Sequence, residues 1–406
     1  MIAATLEQAR ALDAADELAG FRDRFATGDD PVAYLDGNSL GRPPRATLQR
    51  LRRVLEEEWG GALIRSWSTG WADLPLRVGD LLGRGVLGAG PGQTVVADST
   101  SVNLFKVLHA AAGLRGDRSE LVVDGGDFPT DRYLVQAVAE QRGLAVRWLP
   151  PAEDGGATSE RVAEVVSDST AVVVLSHVDY RTGFLADLPA ITSVVHAAGA
   201  LAVWDLSHSA GLVPLSLDAD GADFAVGCTY KYLNAGPGAP AFLYVAERHL
   251  ASVEQPVPGW FGAADVFAMA DAYAPAADAR RMLSGTPAVL GLVGVEEGAT
   301  LVAEAGVQRI RAKAMTLTDL AVELSDAWLE PLGAHLRSPR DSARRGGHVT
   351  LEVPGAREVT EELIRRGIVP DYRNPDRIRL GLSPLSTSYE ETWTAMYVLR
   401  EVLRSR

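Results

Sequence analysis

Residues 201–245 read LAVWDLSHSAGLVPLSLDADGADFAVGCTYKYLNAGPGAPAFLYV. One apolar run ends in Asp205 and His208, a Gly/Pro/Asn-rich loop carries Lys231 between Tyr230 and Tyr232, and a second apolar run spans Ala239 to Val245. A carboxylate at the end of a buried strand, followed about 26 residues later by a lysine where a strand gives way to loop, is the pair a pyridoxal phosphate (PLP) site uses. The amine condenses with the aldehyde, and the carboxylate keeps the pyridine nitrogen protonated so that the ring can accept electrons. Taken singly, Asp205 reads as well as a helix cap, and Lys231 reads as a solvated lysine.

Upstream, strand and helix patterns alternate with short loops from about residue 94: TVVAD, VNLFKVLHAAAG, ELVVD, FPTDRYLVQAVAEQRG, AVRWLP, TAVVVLS, LPAITSVVHAAGA. Such alternation predicts an α/β fold with a mostly parallel sheet and helices on both faces. Ligands then gather at the carboxyl ends of the strands, and the unusual polar residues of this chain sit there.

Thr100 and Ser101 open a helix, where hydroxyls, free backbone N–H groups and the helix dipole bind an anion; they are the phosphate candidates, with an ordinary N-cap as the plain alternative. At the next end, Phe128 can stack on a pyridine face and Asp131 can organise hydrogen bonds near the ring, or Asp131 can simply favour the first helical turn by ~0.3–1 kcal/mol. The third end, Ser176 to Gly183, offers Ser176 as a contact.

In combination these segments resemble the kynureninases, PLP enzymes of the aspartate aminotransferase fold group. The matching stretches are DGNSLG from Asp36, STSVNLFK from Ser99, FPTD from Phe128, SHVDYRTG from Ser176, DLSHSAG and GCTYKYLNAGPG. The family usually reads FPSD where Thr130 stands, and Asn where Asp179 stands. The resemblance implies PLP fold type I, with a large PLP-binding domain and a smaller C-terminal α/β domain. It implies hydrolysis of L-kynurenine or 3-hydroxy-L-kynurenine to L-alanine and the anthranilate, as in tryptophan catabolism and NAD biosynthesis. A desulfurase-like lyase, an aminotransferase, a substituted-kynurenine hydrolase and a cofactor-binding sensor are the alternatives.

Residue by residue, the resemblance makes Lys231 the cofactor lysine, Asp205 the pyridine partner and Tyr230 an acid/base and phosphate contact. It places His208 against the cofactor, Asn38 at the substrate end and Trp67 as a pocket wall. Trp260 and Thr286 would reach the phosphate from the neighbouring subunit, which implies a homodimer with shared sites. Arg379, in IRLGLSPL, would clamp the substrate α-carboxylate, a task that suits a bidentate guanidinium. Arg377 shares the strand face of Arg379, and Gly381-Leu382 depart from the family's Ala-Pro.

The 39 basic against 53 acidic residues give a formal charge of −14, which argues against nucleic acid held through phosphates and for a small amino-acid substrate. A lone Cys228 makes no internal disulfide, and no Cys/His cluster has zinc spacing. The start reads as an amphipathic helix over 4–27, without a signal peptide's apolar core, and no run is long enough for a membrane span. A cytoplasmic protein is expected. The domains expected are 1–45, an N-terminal helix and loop packing with the small domain; 46–290, the PLP-binding domain; and 291–406, a bridging helix with the small domain.

Overall fold

The computed structural model describes residues 5–27, 32–152 and 155–406. The chain opens with α1 (Leu6–Ala14), β1 (Ala33–Tyr34), α2 (Arg45–Arg53) and α3 (Leu74–Leu82). There follow β2 (Thr94–Val96), α4 (Thr100–Gly113), β3 (Glu120–Asp124), α5 (Pro129–Arg142), β4 (Ala145–Leu149), α6 (Ser159–Ala163), β5 (Thr170–Ser176), α7 (Leu188–Ala197), β6 (Leu201–Asp205), β7 (Phe224–Gly227) and β8 (Phe242–Val245). After α8 (Glu247–Leu250), α9 (Val289–Ala305) and α10 (Val307–Leu324) come β9 (His335–Leu336), β10 (His348–Glu352), α11 (Ala356–Arg365), β11 (Ile368–Val369), β12 (Asp371–Arg373), β13 (Arg377–Gly381) and α12 (Tyr389–Arg404).

Strands β2 to β8 form one seven-stranded sheet, order β2-β8-β7-β6-β5-β3-β4. The pairs from β7 through β6, β5 and β3 to β4 are parallel, and only β8 runs antiparallel to its neighbours. The central strands read as continuous apolar runs because both faces are covered: Val172, Val174, Leu201 and Val203 join the core on one side, and Val173, Leu175, Ala202 and Trp204 on the other. Each such side chain contributes about 1.5–3 kcal/mol by leaving water, so a charge at Val174 would split the sheet from α4.

The C-terminal strands form an antiparallel sheet, order β12-β13-β10-β9, packed against α10 and α11. The N-terminal segment reaches this sheet: β1 pairs in parallel with β11 as a separate two-stranded sheet, and Asp36 bridges to Gly381 of β13. That pairing carries the Asp36–Gly41 stretch between the two sheets.

Two helices differ from their sequence patterns. The pattern over 4–27, whose first residue lies outside the described ones, ends as an α-helix at Ala14, because Asp16 turns to accept from Leu18 N (2.9 Å) and to pair with buried Lys313 (2.7 Å). The pattern from Ala288 to Leu329 is broken at Gly306, whose φ of 80° leaves the helical region. Among the described residues no helix is long and apolar enough to cross a membrane.

Candidate active site

The carboxyl ends of β5 and β6 lie side by side, with Ser176 and Asp205 as register partners. Beside them is a cavity of about 240 Å³ lined by Thr100, Ser101, Phe128, Asp131, Ser176, Asp205, His208, Tyr230, Lys231 and Arg379. Ten sequence candidates thus meet in one place, as the switch-point rule for doubly wound sheets requires.

The Lys231 loop is held from below. Gly41 N donates to Tyr230 O (2.7 Å) and Asn234 N to Lys231 O (2.9 Å). A Cβ on Gly41 would stand 2.4 Å from Lys231 O, so the second glycine of DGNSLG lets two backbones touch. Asp205 Oδ1 accepts from Ser207 N (2.7 Å), which fixes its carboxyl at the strand end.

At the start of α4, Ser99 Oγ accepts from Val102 N (3.3 Å), leaving the hydroxyls of Thr100 and Ser101 on the cavity wall. The turn before it is strained, with Asp98 at φ 52°, and is tied by the Asp98 carboxylate to buried Lys106 (2.7 Å). Phe128, half exposed, meets the Tyr180 ring edge to face at 5.3 Å.

The electrostatics separate the groups by role. Burial, then Asp205 and Asp127, drive the Asp131 carboxyl well above the ordinary carboxylate range, and its Oδ2 has no hydrogen-bond partner. Burial, then the Lys231 and Arg379 charges, keep His208 neutral; its Nε2 is also unpartnered and its ring lies 5.7 Å from that of buried His348. Burial raises the Tyr230 phenol above its usual value, with Cys228 and Asp205 adding to it, so the group stands as a proton donor.

Arg379 is fully buried on β13. Nη1 donates to Tyr180 O (2.8 Å), and Nη2 donates to Ser39 Oγ (2.9 Å) and pairs with Asp371 (2.6 Å). Asn38 lies beneath it, its amide oriented to accept from Arg379 Nε (2.9 Å) and to donate to Asp36 Oδ1 (3.3 Å). Asn38 is therefore buried behind the arginine and does not line the cavity.

Three other candidates stand outside this cavity. Trp67 packs against Trp71 (5.5 Å) and Phe261 (5.8 Å), and Trp260 meets the same Phe261 (4.5 Å) and Phe267 (6.3 Å). Thr286 lines an adjoining cavity of about 470 Å³ that shares Thr100, Ser101 and Tyr230 with the first. Tyr232 turns away into the core together with Leu233, in a turn rather than an extended stretch.

The cavity also has walls the sequence reading did not assign: Ser39, Tyr180, Ser207 and Arg373. Ser39 and Tyr180 lie inside quoted motifs, so their signal was present; Arg373 had only its place two residues after Asp371. Asp179 proves to be a loop organiser: its carboxylate takes Arg181 N, Thr182 N (both 2.8 Å) and the Arg181 guanidinium (3.1 Å).

Comparison of the sequence with known proteins points to the kynureninases. The chain is 44% identical over 400 residues to a kynureninase of Pseudomonas fluorescens, covering 97% of this chain and 94% of that one. It is 42% identical over 408 residues to a kynureninase of Burkholderia pseudomallei strain K96243, covering 98% and 95%. The model of the kynureninase C-terminal domain matches residues 310–399. The chain belongs to the kynureninase family.

Solved structures extend the likeness in fold beyond the kynureninases. The cysteine desulfurase of Thermococcus onnurineus NA1 superposes with a TM-score of 0.81 at 20% identity, covering 93% of this chain and 97% of that one. A cystine C–S lyase in complex with cysteine persulfide gives 0.79 at 20%, covering 91% and 97%. This is the fold type I architecture that the kynureninase resemblance implied, with the mostly parallel sheet that the alternating strands and helices predicted. The one cysteine, Cys228, is buried, with Sγ 3.7 Å from Ser207 O.

Proposed function

We propose that this chain hydrolyses L-kynurenine, 3-hydroxy-L-kynurenine or both to L-alanine and the corresponding anthranilate, with pyridoxal 5′-phosphate as cofactor. The observation that carries the reading is the single cavity in which Lys231, Asp205, Tyr230 and the start of α4 from the large sheet face Arg379 from the small one. Its residues fit the cofactor: Asp131 Oδ2 and His208 Nε2 are buried and find no partner in the protein, an arrangement that costs about 1–3 kcal/mol per group until a polar ligand completes it.

Lys231 would hold the cofactor through its amine, Asp205 would face the ring nitrogen, and Phe128 would cover the ring, with Asp131, Ser176 and His208 around it. Thr100, Ser101 and Tyr230 would take the phosphate, where directed hydroxyls and the N-terminus of α4 favour an anion. Once bound, the cofactor supplies the electron sink that lets the α-proton leave. The Lys231 amine would take the α-proton and return it. Tyr230 would give a proton to the β carbon and regain one from the water that adds to the side-chain ketone, so that the bond between the β and γ carbons breaks to the anthranilate and alanine. Arg379, with Asn38 buried behind it, belongs to the end of the site that would hold the substrate.

The same reading places two copies together, with Trp260 and Thr286 of each serving the phosphate of the other. A continuous row of rings, Trp71, Trp67, Phe261, Trp260 and Phe267, ends at exposed Trp260 and Phe267, and apolar rings left in water favour burial against a partner. The assignment fits a cytoplasmic enzyme of tryptophan breakdown. Desulfurase chemistry is disfavoured because Cys228 is buried and does not line the cavity.

The deciding experiment follows anthranilate fluorescence and alanine formation from PLP-loaded protein given each kynurenine separately. Turnover of either establishes the reaction and the faster one the ring preference. No product from either, with normal cofactor absorbance, refutes the assignment.

A further inference from the structure

Ser176 and His177 are neighbours at the carboxyl end of β5, yet they line different cavities. Ser176 faces the one already described, and His177 lines a second of about 430 Å³ that shares none of its described lining residues with the first. His177 N donates to Asp205 O (2.9 Å) and His177 O accepts from Ala186 N (2.9 Å), which fixes the residue between the end of β6 and the turn into α7. Another part of the wall is Ala343 and Arg344, from the segment between β9 and β10, tied to the first part by the bond from Leu185 N to Arg344 O (2.9 Å). Loops of the large sheet and a loop of the small one thus close one space.

Its walls have a definite chemistry. His177 is 5% exposed, and its Nδ1 has no hydrogen-bond partner. Burial pulls the imidazole down to about 4, against a bond with the Ala186 backbone. A neutral imidazole offers one acceptor nitrogen, and a buried acceptor is costly until a donor reaches it. Leu188, Val213 and Leu215 supply a buried apolar wall. Three carboxylates, Glu160, Asp187 and Asp220, share the lining with one cation, Arg344, which lies over the Phe184 ring (5.0 Å). Asp187 caps α7 through Ala190 N (3.0 Å), and neither it nor Asp220 makes a salt bridge among the described residues. Burial, and then the charge of Asp187, raise the Asp220 carboxyl against a bond with the Ser216 backbone, so the two acids lie within each other's field.

Among the described residues no three His, Cys, Asp or Glu side chains gather as a metal ion requires. A space of this size with two unpaired carboxylates, an apolar wall and one buried acceptor fits an organic cation instead. We propose that this cavity is a second ligand site, for a small organic ammonium with an apolar body of about one ring. Asp187 and Asp220 balance its charge, Leu188, Val213 and Leu215 cover its body, and His177 accepts its N–H. The inference goes beyond the functional reading above and does not depend on it.

The test is isothermal titration calorimetry of PLP-loaded protein with N,N-dimethyl-2-phenylethylamine, which is protonated at pH 7 and, as a tertiary amine, cannot condense with the cofactor aldehyde. Two comparators, 3-phenylpropionate and 2-phenylethanol, carry the same ring with a negative charge and with none. The amine is expected to bind at least about tenfold more tightly than either, the factor of a charge-assisted hydrogen bond. The double variant Asp187→Asn/Asp220→Asn keeps both shapes and the cap of α7, and His177→Phe keeps a ring against Trp204. Each should weaken the amine about tenfold and leave the cofactor absorbance unchanged. No binding of the amine, equal binding of the three probes, or wild-type affinity in either folded variant overturns the proposal. Should His177→Phe fail to fold by circular dichroism, the double variant decides alone.

Discussion

Ser176 and Asp127 grip each other twice: the Ser176 amide donates to Asp127 Oδ2 at 3.0 Å, and its hydroxyl donates to Oδ1. Burial raises the Asp127 carboxyl to about 7, bonds from Ser176 and Phe128 N oppose this, and Asp205 and Asp124 add to it. The folded-state value lies above the ordinary 3.8, so protonation favours folding. That contribution is full below about pH 4 and lost as pH rises through about 7. Urea denaturation of cofactor-stripped Asp127→Asn should therefore show a gap to wild type that shifts in favour of the variant between pH 5 and pH 8. A gap equal at both pH values would remove Asp127 as the titrating group.

Lys231 sits in a loop whose backbone is fixed by Gly41 and Asn234, so shortening its side chain should leave the fold intact. Lys231→Ala is expected to lose turnover by more than ~10³-fold, the scale set by removing a covalent catalyst and its proton transfer together, and to lose the absorbance of the lysine-bound cofactor. Spectra and steady-state rates check both. Wild-type turnover by the variant would refute the cofactor assignment.

Gly41→Ala tests the support of that loop separately. The added methyl would stand 2.4 Å from Lys231 O, well inside van der Waals contact, so the backbone has to move. Misplacing a reacting group by about 1 Å can cost about 10²-fold, and a comparable fall in kcat is expected with folded protein by circular dichroism. A wild-type kcat would show that the loop tolerates the shift.

Asp205 and Lys231 were legible only as a pair, a carboxylate ending one apolar run and a lysine in the loop before the next, with the family resemblance behind them, and the sheet then brings strand ends together without further instruction. Thr100 and Ser101 were legible as a helix start. Arg373 was not: DYRNPDRIRLGL holds three arginines in alternation, and only the register that sets Asp371 opposite Arg379 tells which one opens on the cavity. Asn38 was seen as a site residue but not as the residue beneath the arginine, since its depth depends on the bridge from Asp36 to Gly381. The early end of α1 was hidden for the same reason, because its cause is an ion pair with Lys313, remote in sequence.

Away from the cavity, Asp223 is a buried junction. It accepts from Ala202 N (2.8 Å), His196 (2.8 Å), His249 (2.7 Å) and Arg248 (2.7 Å), and so links β6, β7, α7 and α8. Burial alone would raise its pKa, but the bonds from His249, Ala202 N, His196 and Arg248 win and hold it well below the ordinary carboxylate range. A depressed carboxyl gives stability that is present above its unfolded value and lost as pH falls below about 4. Asp223→Ala, which leaves these donors unmet, should lose about 3–5 kcal/mol by urea titration at pH 7, with the difference narrowing in acid. A difference that stays constant down to pH 3 would contradict the ionised junction.

Tyr230 borders both cavities and stands next to Lys231. Because burial raises its phenol, it enters the reaction as a proton donor over the whole neutral range, so the wild-type rate should show no alkaline fall from this group below about pH 10. Tyr230→Phe removes the proton and keeps the ring. The expected result is a kcat lower by ~10²–10⁴-fold, the usual contribution of a placed acid or base, with a smaller rise in the PLP concentration needed for saturation through the lost phosphate contact. Stopped-flow measurement separates the two: if Tyr230 is only a phosphate contact, saturating PLP restores the wild-type kcat, whereas a kcat that stays low at saturation marks the proton donor.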